Sequence, residues 1–180
     1  MINVYKKCPV YQTEHVTLRK TEMDDAEELL WCYSDEKSVP FFNSDNCDGD
    51  DFHYKKIDVM REAIEFWNFS YENSYFVRWS VVMNDNSQVV GTIEMFHRAI
   101  DDEFNGMGIL RIDLRSDQER KPIIGDILEI ADKHFYKLFD VSHILTKAVP
   151  EATERISVLK EKGYRPLGKK LGQYDFYYIK

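Results

Sequence analysis

The 180-residue sequence carries 24 Lys and Arg against 32 Asp and Glu, a net charge of -8, with 43% hydrophobic residues. That length supports one buried core, read here as a single domain over residues 1–180, and the acidic balance argues against nucleic acid as a partner. Cys8, Cys32 and Cys47 fit neither a disulfide framework nor zinc-ligand spacing, and no stretch has the length of a signal peptide or membrane span, so the expectation is a cytoplasmic protein with no metal and no membrane partner.

Val16-Thr17-Leu18-Arg19 alternates as a first strand, and Thr21-Glu22-Met23-Asp24 is a helix-start signal ahead of Ala26, Leu29, Leu30 and Tyr33 at helical spacing. Residues 43–51 are polar and acidic around Gly49 and read as a mobile loop. A calcium loop fails there, because Gly49 at the glycine position puts Ser44 and Lys55 at the first and last ligand positions. Ile57, Met60, Ile64 and Trp67 mark one face of a second helix. Residues 75–83 and 89–96 are rich in β-branched and aromatic side chains, and Asn84-Asp85-Asn86-Ser87 joins them as an antiparallel hairpin. Over 109–114, Leu110, Ile112 and Leu114 alternate with Arg111 and Asp113, as in a strand with one buried face.

Ile123, Ile127, Ile130, Ala131, His134 and Leu138 recur at three- and four-residue steps, which predicts a long amphipathic helix with His134 as a core histidine. Ser116-Asp117-Gln118-Glu119 has the form of a capping box, but a helix begun there would hold Pro122 in its interior at roughly 3 kcal/mol. The spacing therefore starts the helix at Pro122 with Lys121 as its cap, and leaves the N–H groups of Ile123, Ile124 and Gly125 without side-chain partners. Such a helix start suits a phosphate. A strand over 144–149 ends at Pro150, Ala152, Ile156 and Leu159 line a helix ended by Gly163, and 174–179 is a final strand. The fold class is α/β (α+β): one mixed, mostly antiparallel sheet with helices on both faces.

The order strand, helix, strand, helix from Gly108 to Gly163-Tyr164 resembles the coenzyme A-binding half of the GNAT superfamily of acyl-CoA N-acyltransferases. In that family a strand bearing a bulge leads into an R-x-x-G-x-G/A loop. Arg120-Lys121-Pro122-Ile123-Ile124-Gly125 is similar to it, with the arginine and second glycine kept and Ile123 at the first glycine. The last helix resembles the N-x-x-S-I-R-V-L-E-K-L-G-F pattern of the ribosomal-protein alanine acetyltransferase branch through Ile156, Val158, Leu159, Gly163 and Tyr164. Ala152 replaces the asparagine and Arg155 the serine. Val16-Thr17-Leu18-Arg19, the run Asp24-Asp25-Ala26-Glu27-Glu28-Leu29 and Val90-Gly91-Thr92-Ile93 are similar to other parts of that branch.

The resemblance implies transfer of an acetyl group from acetyl-CoA, a cosubstrate, to a small-molecule or peptide amine by a monomer or homodimer. It implies that the strand at 109–114 diverges from that at 144–149 with the pantetheine arm between them. Coenzyme A contacts would come from Leu114, Arg120, Lys121, Ile123, Ile124, Gly125 and Asp126. An alkylammonium of pKa about 10.4 must lose a proton before it attacks, and Glu94 and Asp113 are the candidate catalytic carboxylates, with His97 read as a surface residue. Arg111, Arg115, Arg120 and Lys121 form either a cationic collar for phosphates or, with Asp113, Asp117 and Glu119, a solvated mixed-charge loop. Leu159 stands where many relatives place a tyrosine that protonates the departing thiolate. Together with Pro122, Ile123 and Ala152 it keeps open an alternative: a catalytically degenerate protein that binds a CoA-like ligand or a protein partner without turnover.

Overall fold

The computed structural model describes residues 3–180. Strands β1 (Tyr11–Gln12), β2 (Val16–Lys20), β3 (Val77–Met83), β4 (Val89–His97), β5 (Gly108–Leu114), β6 (Ile144–Lys147), β7 (Arg165–Pro166) and β8 (Tyr177–Ile179) form one sheet, ordered β1-β2-β3-β4-β5-β6-β8-β7. Its neighbours are antiparallel except β5 and β6, which run parallel. The helices are α1 (Ala26–Tyr33), α2 (Ile57–Glu72), α3 (Lys121–Ile130), a closing turn α4 (Tyr136–Leu138) and α5 (Thr153–Glu161).

Strand alternation divides the core into two layers. Trp79 and Val81, Ile93 and Met95, and Leu110, Ile112 and Leu114 pack on Ile124, Ile127 and Leu128 of α3 and Leu159 of α5. On the opposite face lie Leu29, Cys32 and Tyr33 of α1 and Met60, Ile64 and Trp67 of α2. A sheet covered on both faces buries both sets of alternating side chains, so the charged residues of β3, β4 and β5 are interior, not solvated.

The helix expected from Pro122 begins one residue earlier. Arg120, extended at φ -125 and ψ 148, is its cap, and Pro122 sits second, where its missing N–H costs no ladder bond. Ser116–Gln118 forms only a single 3-10 turn. A π turn, Ala131–Phe135, then inserts one residue into the α-helical repeat, so the apolar face passes to Phe135 and Phe139. His134 is therefore half-buried and stacked on Tyr11 at 4.5 Å instead of being a core residue. The strand expected over 144–149 stops at Lys147, that expected over 174–179 starts at Tyr177, and two-residue strands β1 and β7 carry too few residues for a period to show. Residues 43–51 are partly packed: Asn43 and Asp45 are buried. Cys8, Cys32 and Cys47 are free. Among the described residues no helix is long and apolar enough to cross a membrane, and no group of three or more His, Cys, Asp or Glu is placed to hold a metal ion.

Candidate active site

β5 and β6 pair over three residues, Gly108 with Ile144, Ile109 with Leu145 and Leu110 with Thr146, and the pairing stops there while β5 runs on to Leu114. The Gly108 N–H donates toward β6, to His143 O at 2.8 Å, whereas the Arg115 N–H donates the other way, to Val90 O at 2.8 Å. Alternation therefore turns the N–H groups of Ile112 and Leu114 toward the side on which β6 has parted from β5. The β4 to β5 register shows no shift; the irregularity lies between β3 and β4, where Val81 and Val82 pair with Gly91 and Val89 and Val90 is the extra residue, instead of on the strand before the helix.

The start of α3 offers fewer donors than the sequence implied. The Ile124 N–H donates to Arg120 O at 3.0 Å, and Gly125, fifth in the helix, has its N–H within the ladder. The Lys121 N–H points at Glu154 Oε2, 3.4 Å away, which leaves Ile123 as the free main-chain donor of the first turn. Arg120 and Lys121 are exposed, Arg120 on Gln118 at 2.6 Å and Lys121 Nζ 3.5 Å from Glu161. A Cβ on Gly125 would meet Val158 Cγ1 at 3.9 Å, so this glycine faces α5. Asp126 is turned away from the gap. It accepts from Thr13 Oγ1 at 2.7 Å and His15 N–H at 2.9 Å, and so anchors the turn before β2 instead of reaching a cosubstrate.

Glu94 and Asp113 are drawn into one buried network. Arg78 on β3 donates to Glu94, to Asp113 at 3.2 Å, to Tyr33 Oη at 2.9 Å and to Thr92 Oγ1 at 3.0 Å. Arg111 donates to the other Glu94 oxygen at 2.9 Å and to Asp45 O at 2.7 Å, so it belongs to this network and not to a phosphate collar. Asp113 also accepts from Tyr33 Oη at 3.1 Å and from the Asn43 N–H at 3.3 Å. Burial alone would raise the Glu94 pKa, but Arg78 and Arg111 hold it below the usual carboxylate range. For Asp113 burial prevails over Arg78, and its pKa is raised. Arg115 is engaged by Asp117 at 2.6 Å. His97 is exposed, as expected, with Nδ1 3.1 Å from Phe139 O.

A cavity of about 440 Å³ opens over this network on the α2 side of the sheet, with Phe52, Phe66, Trp67, Phe76 and Phe96 as walls, Arg78, Glu94 and Arg111 on its floor, and Asp48 and Asp50 beside them. The acidic residues 45–50 thus border the cavity.

The chain's likeness to proteins of known structure follows this geometry. A Mycobacterium smegmatis RimJ in complex with CoA-disulfide matches with TM-score 0.73 at 14% identity over 94% of this chain and 84% of that one. A ribosomal-protein-S5-alanine acetyltransferase from Vibrio fischeri matches with TM-score 0.71 at 14% identity over 96% of each chain. A GNAT-family acetyltransferase from Bacillus anthracis matches with TM-score 0.67 at 17% identity over 96% of this chain and 98% of that one. The chain has the GNAT fold. An uncharacterized N-acetyltransferase, p20, of Bacillus licheniformis is 24% identical over 156 residues, 87% of this chain and 82% of that protein. No family model matches the sequence.

Within the GNAT fold, sequence reasoning missed Arg78, Asn43, the bonds of the Tyr177 hydroxyl and the partner of Arg155. Tyr177 Oη donates to Asp45 Oδ2 at 3.0 Å and accepts from Asn43 Nδ2 at 3.2 Å. Arg78 carried a signal, a cation inside the apolar run Val77–Met83, which in a two-face-buried strand requires a buried counter-charge. The others depend on chain crossings that no local pattern encodes.

Proposed function

We propose that this chain is an N-acetyltransferase that moves an acetyl group from acetyl-CoA to an amine held in the 440 Å³ cavity. The observation that carries the reading is the parting of β5 from β6 after Leu110, directly beside the charged floor of that cavity. The N–H groups of Ile112 and Leu114 suit an extended amide-bearing arm in the gap, and Arg120, Lys121 and the Ile123 N–H suit its phosphates. Ile123 and Ile124 side chains are buried in the core, so their part is confined to the main chain.

The cosubstrate supplies an activated thioester carbonyl. The chain must orient the amine and remove its proton. Of the two candidate carboxylates Glu94 lines the cavity, while Asp113, held behind it by Arg78, has the raised pKa that narrows the gap to an ammonium of pKa about 10.4 and would receive the proton through an intervening water. Glu94, clamped between two guanidinium groups, fixes the position of Arg78 and Arg111. The aromatic walls and the carboxylates of Asp48 and Asp50 favour a cationic acceptor.

Calorimetry with acetyl-CoA tests the first half, and a thermal shift checks it: ligand at 100 times Kd stabilises by about 2.7 kcal/mol. Thiol release with polyamines, aminoglycosides, amino acids and peptide N-termini tests the second. Asp113→Asn is expected to lower turnover by roughly 10²- to 10⁴-fold with acetyl-CoA affinity nearly unchanged, and the wild-type rate should fall as pH drops through the raised Asp113 pKa. Absence of binding at millimolar acetyl-CoA overturns the proposal. Leu159, fully buried, offers no proton to a thiolate, and this favours the second reading, a CoA-like ligand or protein partner bound without turnover; tight binding with no acceptor-dependent release supports it.

A further inference from the structure

We propose that residues 41–45, together with the ion pair of Arg155 with Glu119, form a clasp that holds the gap between β5 and β6 shut, and that a CoA thioester enters only when the clasp opens. The inference rests on the acetyl-CoA reading above. The connection between α1 and α2 crosses the gap and is tied to both of its lips. On the β5 lip the Asn43 N–H donates to Asp113 Oδ1 at 3.3 Å, and Arg111 donates to Asp45 O at 2.7 Å. On the β6 lip Lys147 Nζ donates to Asp45 Oδ1 at 2.6 Å, and Tyr177 of the adjoining strand donates to Asp45 Oδ2 at 3.0 Å.

The mouth is closed by a third tie. Arg155, third residue of α5, reaches across to the segment before α3 and donates to both Glu119 oxygens at 2.7 and 2.8 Å, and to Phe41 O at 3.1 Å. Its relative exposure is 1%, so the guanidinium fills the space between the two elements that flank the gap. Neither the 440 Å³ cavity nor a second one of about 510 Å³ beside Pro150, Lys160 and Tyr178 is lined by Leu114, Arg120 or Ile123.

The same contacts link cosubstrate to chemistry. In the closed form one oxygen of Asp113, the proposed proton acceptor, is occupied by the Asn43 N–H. Asp45, Asn46 and Cys47 of the same connection border the acceptor cavity. Opening therefore exposes the gap, unmasks the base and moves a wall of the cavity in one event. A ligand that binds only the open form has an apparent Kd equal to its intrinsic Kd divided by the open fraction.

The test uses the full chain and coenzyme A itself. The double variant Arg155→Ala with Glu119→Ala removes both charges at once and leaves neither buried alone. It is expected to bind coenzyme A at least tenfold more tightly than wild type by calorimetry. Asp45→Ala, which removes the acceptors of Lys147 and Tyr177 and leaves the mouth intact, should shift affinity the same way by a smaller factor and covers the case of a double variant that does not fold. In wild type, hydrogen exchange at the amides of residues 41–45 should accelerate at saturating coenzyme A. Equal or weaker affinity in the folded variants, or unchanged exchange in a wild type shown to be saturated, overturns the clasp and leaves the acetyl-CoA reading standing. Failure of wild type and variants alike to bind overturns that reading and the clasp with it.

Discussion

A methyl group on Gly91 would lie 2.1 Å from the Asp113 carbonyl oxygen and 2.9 Å from Leu114 Cα, both main chain of the neighbouring strand. Neither atom can rotate aside, so Gly91→Ala should cost about 3 kcal/mol in urea denaturation. Gly125 contrasts with it: its added Cβ meets only Val158 at 3.9 Å, and Gly125→Ala should gain about 0.5–1 kcal/mol from helix propensity in the same assay. Both glycines were visible in the sequence through resemblance, but which one lacks room depends on the facing strand. Asp35 gives a test by pH. Its partial burial would raise its pKa, yet bonds from Ser38 Oγ at 2.8 Å and the N–H groups of Lys37 at 3.0 Å and Ser116 at 3.1 Å lower it from 3.8 to about 2. A depressed carboxyl contributes stability above its unfolded pKa and loses it as pH falls through the folded one. Asp35→Asn should thus be less stable than wild type at pH 7, by about 1 kcal/mol for this solvent-screened group, with the difference closing between pH 4 and 2. Melting curves across that range check it.

At the scale of elements, α3 shows how a period can be legible and still point to the wrong residue. Three- and four-residue steps located the helix, and they hold through Ala131. The π turn then adds one residue, so a strict extrapolation lands on His134 and Leu138 where the structure buries Phe135 and Phe139. Phe135, fully buried, stacks on Trp79 with ring centroids 5.1 Å apart. Phe135→Ala should therefore cost about 3–5 kcal/mol by chemical denaturation, and His134→Ala less than about 1. The reverse order would restore the uninterrupted helix. The helix start was displaced for a related reason. Proline is tolerated at the second position as well as the first, since both N–H groups lie outside the ladder, and only the extended Arg120 backbone distinguishes the two.

For the whole molecule, the sheet is apolar on the face under α3 and α5 and carries Arg78, Glu94, Arg111 and Asp113 on the face under α1 and α2. Arg78 is the centre of that charge, with its guanidinium 4.2 Å from the Trp67 ring centroid. Arg78→Met should destabilise by about 3–5 kcal/mol, because Asp113 loses its cation and Glu94 one of two, and adding Asp113→Asn should recover part of it. Guanidinium denaturation of the single and double variants measures both. The sequence by itself determined the order of the long strands and helices, the alternation that separates Leu110, Ile112 and Leu114 from Arg111 and Asp113, and the place where β5 feeds a helix, because each of these is a local period or a local stop signal. It left the burial of the charged face undecided, since alternation states which residues share a face and says nothing of what covers it. Two helices cover it here, and that turns an exposed row of charges into a desolvated network with opposed pKa shifts at Glu94 and Asp113. The ties of residues 43–45 across the gap join positions 66 to 132 residues apart and the reach of Arg155 to Glu119 positions 36 apart, and contacts at such separations are set by how layers stack and not by any neighbouring residue.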